Sequence, residues 1–111
     1  MEMKLSERVI DLLENNEIAR TIIKKLLHAQ YTRFTYVEGR DAKATTGSML
    51  KFDDSDEEVH KIANELCSGE ILDSYTPVTL PVYYLKGEKP VHETATPRNE
   101  ELRKTIAQYF K

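Results

Sequence analysis

From Leu5 to Ala29 the apolar side chains Leu5, Val9, Leu12, Leu13, Ile18, Ala19, Ile22, Ile23, Leu26 and Leu27 recur every three or four positions. That spacing lines them along one stripe of an amphipathic helix. Asn15 and Asn16 fall where the stripe should continue. Asparagine favours helix ends because its side chain bonds to nearby backbone, so the pattern predicts one helix or a helix pair, the second opening at Glu17. A tightly joined pair is also the start of a DNA-reading helix-turn-helix, but that module packs around a third helix, and strand chemistry follows here.

The period then changes from helical to two. Residues 31 to 38, Tyr-Thr-Arg-Phe-Thr-Tyr-Val-Glu, are aromatic and β-branched, with Phe34 and Tyr36 on one face, which predicts a strand. Glu38-Gly39-Arg40-Asp41 reads as its turn and Ala42 to Thr46 as a return strand, with Gly47 and Ser48 as a bend before Met49-Leu50, so a β-hairpin is expected. Ser55-Asp56-Glu57-Glu58 forms a capping box ahead of Val59, Ile62, Ala63 and Leu66, and Gly69 stops that helix. Leu80 to Leu85 reads as one arm of a second hairpin, with Pro77 and Pro81 holding its beginning at a sheet edge, a turn at Lys86-Gly87-Glu88-Lys89 and a return arm from Pro90 to Ala95. Thr96 as cap and Pro97 as first helical residue predict a last helix with the stripe Leu102, Ile106, Tyr109 and Phe110, leaving Arg103, Lys104 and Gln108 to solvent.

These elements give an α+β fold: an N-terminal helix or helix pair and a small antiparallel sheet built from two β-hairpins, each followed by a helix on one side of the sheet. Tyr36-Val37-Glu38-Gly39 echoes Tyr84-Leu85-Lys86-Gly87, and Glu57-Glu58-Val59-His60-Lys61 echoes Glu100-Glu101-Leu102-Arg103-Lys104. A ββα duplication is one way to produce such an echo. The preference of turns for glycine and of helix starts for glutamate is another.

Length and composition limit what such a fold can be. The 111 residues are expected to make a single domain, 1–111, and 40% apolar against 32% charged side chains is too hydrophobic for a disordered chain. Charge interrupts every apolar run long before the ~20 residues of a membrane helix, so a soluble protein without a membrane partner is expected. The opening Met1-Glu2-Met3-Lys4 lacks the layout of a secretory signal, and Cys67 has no second cysteine to pair with, which points to a cytoplasmic location. The net charge of −3 hides blocks: residues 20–52 carry seven basic and two acidic side chains, and residues 53–73 carry eight acidic and one basic. Such blocks either pair across the fold or make a dipolar surface that steers a charged partner.

No motif for catalysis, metal or cofactor stands in the chain. His28, His60 and His92 have no ligand partner at metal spacing, and His60 and Cys67 lie two helical turns apart, too far for a nucleophile and its base. The carboxylates Asp53, Asp54, Asp56, Glu57 and Glu58 crowd a helix N-terminus, where the helix dipole favours them, instead of spreading over a calcium loop. The four glycines sit at turns or stops and make no phosphate loop. The expectation is therefore a protein that is not an enzyme and binds no cofactor or metal.

Binding is what remains. Arg33, Tyr36, Arg40 and Lys43 on the first hairpin, with Tyr83, Lys86 and Lys89 on the second, combine rings that stack on bases with cations that neutralise phosphates. They are the candidate site for nucleic acid or a nucleotide. The other candidate is Asp56, Glu57 and Glu58, by which the acidic helix would dock a partner protein or a second copy in a homodimer; an exposed sheet edge is the other route to such docking.

The stretch from Ile23 to Leu50, with Lys24-Lys25-Leu26-Leu27 ahead of Phe34-Thr35-Tyr36-Val37-Glu38-Gly39-Arg40 and Thr45-Thr46, resembles the opening of the small WYL-like domains common in phages, and Val82-Tyr83-Tyr84-Leu85-Lys86-Gly87-Glu88 resembles their second aromatic strand and charged turn. The two patches cover less than half of the chain. Pro90 and Val91 stand where the family has a tryptophan-arginine pair, and the helix from Ser55 to Ser68 would be an insertion. The resemblance implies an Sm- or SH3-like barrel and a small regulatory protein of phage or bacterial origin that binds nucleic acid or a nucleotide, in the host cytoplasm if viral. Acting as an inhibitor or adaptor of a partner protein is the alternative.

Overall fold

The structure is a computed structural model that describes residues 4–29, 33–42, 49–90 and 97–110. The N-terminal stripe is two helices, α1 (Glu7–Asn15) and α2 (Glu17–His28). Asn16 separates them in extended backbone: its amide closes α1 on the Leu12 carbonyl at 3.0 Å, and its side chain accepts the Ala19 amide at 2.9 Å to open α2. One residue thus caps two helices, the end-favouring chemistry read from its sequence position. Arg20 fastens the join, donating to the Leu13 and Tyr109 carbonyls at 2.6 and 3.1 Å with its guanidinium over the Phe110 ring.

The strands are β1 (Phe34–Glu38), β2 (Met49–Lys51), β3 (Leu72–Tyr75) and β4 (Val82–Leu85), with α3 (Asp56–Ser68) between β2 and β3, and α4 (Glu100–Ala107) running into a short 3₁₀ turn at the end. The fold is α+β. The sheet order is β2-β1-β4-β3, with β1 antiparallel to β4, β4 antiparallel to β3, and β1 parallel to β2. The sheet is therefore mixed, which corrects the expected pair of antiparallel hairpins. The glycine turn after β1 is the reason. Gly39 lies so close to Asp54, Ser55 and Asp56 that a Cβ would run into their backbone, and its amide donates to the Asp56 carboxylate at 3.0 Å. The turn carries the chain to the foot of α3 and away from β1. Of the expected return strand at Ala42 to Thr46, all but Ala42 lies outside the described residues.

The second hairpin is also built differently. β4 is an inner strand, flanked by β1 and β3, and Pro81 precedes the ladder and costs it no donor. Its hairpin partner is β3, which the sequence pattern did not single out; the proposed return arm lies, from Val91 on, outside the described residues. The chain does run strand, strand, helix twice. The first strand pair is parallel and the second antiparallel, so the sequence echo does not map onto equivalent places. Closing a barrel would need β2 to pair with β3, and the described residues make no such pairing.

Side chains alternate across the sheet. Val37, Leu72, Tyr83 and Leu85 face the helices, where they join Leu12, Leu13, Ile22, Ile23, Leu26, Leu66, Leu102 and Ile106 in one core. Phe34, Tyr36, Tyr75 and Tyr84 take the opposite face and pack edge-on in pairs, Phe34 with Tyr36 and Tyr75 with Tyr84. The cap of α3 is as read: Ser55 accepts the Glu58 amide at 3.2 Å. That of α4 is not; Asn99 caps it by accepting the Leu102 amide at 3.1 Å, and Thr96 lies outside the described residues.

Arg103, expected in solvent, is buried. Its Nε and Nη2 donate to the two oxygens of fully buried Glu88 at 2.7 and 2.6 Å, while Nη1 and Nη2 reach the Leu27 and Leu26 carbonyls at 3.1 and 3.4 Å. The helical stripe alone assigned Arg103 outward, but the end of α2 needs a donor for its last carbonyls, and Arg103 supplies it. Among the described residues, no helix is long and apolar enough to cross a membrane.

Candidate functional site

A cavity of about 130 Å³ opens at the end of the sheet where β1 finishes, β4 begins and α3 starts. Tyr36, Glu38, Met49, Asp56, His60 and Pro81 are in its wall, with Ala42 and Leu80 beside them. Three backbone contacts hold that end together: the Phe52 amide donates to the Glu38 carbonyl and the Arg40 amide to the Asp54 carbonyl, both at 3.0 Å, and Gly39 donates to Asp56 as described.

Within the wall a chain of polar contacts runs inward from Asp56. His60 Nε2 lies 3.4 Å from Asp56 Oδ1, and His60 Nδ1 lies 3.1 Å from the Tyr83 hydroxyl. Burial pushes the Tyr83 phenol up to about 12, with smaller contributions from Cys67 and Asp56, so it is protonated near neutral pH. One neutral tautomer satisfies both contacts: the Tyr83 hydroxyl donates to Nδ1, and Nε2–H points to Asp56.

Glu38 differs from these groups. It is 3% exposed, yet its Oε2 has no hydrogen-bond partner among the described residues, and its Oε1 lies 3.7 Å from the ammonium of Lys51, whose side chain is largely exposed. Buried polar atoms are nearly always hydrogen-bonded, so this oxygen is an exception to that rule. Along the segment that leads into and opens α3, Asp53, Asp54, Glu57 and Glu58 are exposed, as is Arg40 after β1. Among the described residues, no group of His, Cys, Asp and Glu side chains converges as metal ligands would.

The proposed nucleic-acid set does not assemble on one surface. Tyr83 is buried against His60 on the helix side and offers no stacking face. Arg40 follows the end of β1 and Lys86 the end of β4; because these strands are antiparallel, the two cations lie at opposite ends of the sheet. Lys86 is paired with Glu70 at 3.4 Å, and Arg33 donates to the Pro97 carbonyl at 3.4 Å. Lys89 sits with its ammonium 5.0 Å from the Tyr75 ring centre, and Lys43 lies outside the described residues. Tyr36 is half-buried and belongs to the cavity wall. Of the partner-docking set, Asp56 lines the cavity, and Glu57 and Glu58 stand exposed beside it on the first turn of α3.

Glu38 and His60 were not among the sequence candidates for binding. A signal for Glu38 existed: period-two alternation from Phe34 sets it on the same face as Tyr36, inside the strand and not in the turn assigned to it. His60 carried no such mark, since its partners Asp56 and Tyr83 are joined to it only in space. Burial also pushes the Cys67 thiol up, and Asp73 adds to that shift, against a Ser74 hydrogen bond, so the one cysteine is protonated and unreactive near neutral pH. Against this geometry, the chain matches no protein-family model, no curated protein and no solved structure.

Proposed function

We propose that this chain is a non-enzymatic protein-interaction module that docks a basic segment of a partner polypeptide on its acidic end. The observation that carries this reading is the run of exposed carboxylates Asp53, Asp54, Glu57 and Glu58 where α3 begins, next in sequence to Asp56, which shares a cavity wall with buried Glu38. Carboxylates outnumber the exposed cations Arg40 and Lys51 at this end, which attracts cations and repels phosphate. Role assignment follows: Asp53, Asp54, Glu57 and Glu58 steer and orient the partner.

Titration of a fluorescent octa-arginine peptide at low salt tests this. Binding is expected, weakening with added salt and more than tenfold on the double reversal Glu57→Lys/Glu58→Lys. Absence of binding, or affinity indifferent to the reversal, overturns it. A second reading, single-stranded nucleic acid, is favoured by an open groove of about 370 Å³ at the far end, between α2 and α4, with His28, Arg98, Lys104 and the Phe110 ring in its wall. Oligonucleotide in the same titration separates the two: salt-sensitive binding that survives the Glu57/Glu58 reversal and falls on Lys104→Glu supports the groove.

A further inference from the structure

We infer that the groove between α2 and α4 receives the acidic segment 53–58 of a second copy of this chain, so that copies join end to end. This deepens the proposed function by naming its partner, and it rests on that reading for what enters; the site itself is the groove, a separate feature at the other end of the molecule.

The two surfaces cannot meet within one chain. β1 finishes and α3 opens at one end of the sheet, and Asp53 and Asp54 follow β2, which runs parallel to β1. β4 is antiparallel to β1, so Glu88, just past β4, lies at the opposite end, where Arg103 ties it to the last carbonyls of α2. The groove opens beside that tie, about 370 Å³ in volume, with Leu27, His28, Arg98, Lys104, Ala107 and Phe110 in its wall. Its walls are fixed by the fold. Arg103 is buried and bonded to Glu88 and to the Leu26 and Leu27 carbonyls, and the Arg20 guanidinium lies 4.7 Å from the centre of the Phe110 ring.

The charges left over at the two ends are opposite in sign. At the groove, Arg103 is spent on Glu88 and Arg98 on Glu100, each at 2.6 Å. Lys104 in the wall, and the exposed Lys24 and Lys25 one turn before His28 on α2, form no ion pair among the described residues. Glu101, one turn before Lys104, reduces this surplus without cancelling it. At the acidic end Asp53, Asp54, Glu57 and Glu58 are all exposed, and they too form no ion pair among the described residues. Like ends of two copies therefore repel, and unlike ends attract. Leu27, Ala107 and the Phe110 ring lower the water content of the groove, which strengthens a carboxylate contact to Lys104.

A nucleic acid would be drawn to the groove and repelled by the other end, whereas a second copy makes use of both. Because the contact joins two different surfaces, every joined pair keeps one free groove and one free acidic end, and the assembly grows as an open chain.

The test is sedimentation velocity of the full chain over a concentration series at low and high salt. Two variants accompany it, Asp53→Asn/Glu57→Gln/Glu58→Gln and Lys24→Gln/Lys104→Gln, with amide NMR dispersion reporting that each is folded. The expected result is concentration-dependent association of the native chain at low salt, at least tenfold weaker at high salt and in either variant alone. An equimolar mixture of the two variants should recover the association but stop at a 1:1 pair, since only one intact groove and one intact acidic end remain to meet. A native chain that stays monomeric at low salt, association that neither variant weakens, or a mixture that recovers nothing overturns the inference. If the native chain is monomeric but binds octa-arginine, self-docking is wrong and the proposed function stands. If copies associate through both surfaces and octa-arginine neither binds nor competes, capture of a short basic segment is wrong and self-docking stands. Oligonucleotide bound by a monomeric native chain and lost on Lys24→Gln/Lys104→Gln overturns self-docking and gives the groove to nucleic acid.

Discussion

Glu38 and Glu88 are both buried carboxylates at sheet ends, one the last residue of β1 and one after β4, and the chain treats them in opposite ways. Glu88 receives both prongs of Arg103 and the Asn99 amide at 2.8 Å, so each oxygen is engaged. Arg103 in turn closes the end of α2, so that the pair binds the β4 turn, α4 and α2 into one unit. Glu38 has a distant exposed lysine and an oxygen with no partner. A buried charge costs several kcal/mol unless it is paired and hydrogen-bonded. Glu88 is half of an ion pair that completes the fold, whereas Glu38 keeps an oxygen that no group among the described residues satisfies.

The sharpest way to break that comparison is to open the Glu88 pair. Arg103→Met leaves a bare carboxylate in the interior and uncaps α2, and is expected to cost about 3–5 kcal/mol, read as a fall in the urea midpoint at unchanged slope. Adding Glu88→Leu to Arg103→Met should recover most of that loss, because two apolar groups replace two charges and no orphan remains. If the single variant is as stable as the native chain, Glu88 is no better satisfied than Glu38.

Acid provides a second route to the same pair. Burial pushes Glu88 up, but the Arg103 hydrogen bonds, the Asn99 amide and the charge of Arg103 outweigh it and leave Glu88 below its ordinary 4.5. A carboxyl with a lowered folded-state value holds fewer protons folded than unfolded. Its stabilisation is therefore complete above about 4.5 and is lost as the pH falls through the lower folded-state value. Urea midpoints measured from pH 6 downward should drop below 4.5 in the native chain, and drop less in the Glu88→Leu/Arg103→Met variant.

The Glu38 end is held by backbone instead of an ion pair, and Gly39 is where that hold is most vulnerable. A Cβ there runs into the main chain of Asp54, Ser55 and Asp56, which has no flexible side chain to yield. Gly39→Ala is expected to cost about 1–3 kcal/mol and to shift the amides of Asp56 and His60. Gly69 is a second close approach, where a Cβ would run into the side chain of buried Val9, so Gly69→Ala is also expected to destabilise the chain.

How much of this was legible follows the range of the interactions. The Asn16 break, the Ser55 cap and the Gly69 stop depend on residues within one helical turn, and the sequence named them correctly. The hairpins failed because Gly39 has two possible uses, a tight turn or a close approach, and the deciding neighbours are at Asp54 to Asp56. Arg103 was misread because its partners, Glu88, Leu26 and Leu27, lie far away along the chain. The acidic block at residues 53–58 was visible as a block; that its Asp56 shares a cavity wall with Glu38 depended on bringing β1 and α3 together, which no local pattern encodes.

The smallest expected effect is the most telling. Glu38→Gln removes a charge whose one ionic partner among the described residues is an exposed lysine 3.7 Å away, a contact worth about 0–1 kcal/mol, and it relieves the desolvation of an oxygen with no donor among those residues. The urea midpoint should therefore stay within about 1 kcal/mol of the native value or rise, whereas Glu88→Gln, which breaks a bidentate pair, should lower it clearly. A Glu38→Gln variant as stable as the native chain, or more so, would mean that the carboxylate is retained at some expense to the fold. If Glu38→Gln unfolds as readily as Glu88→Gln, Glu38 is a second structural carboxylate, and the contrast between the two ends of the sheet disappears.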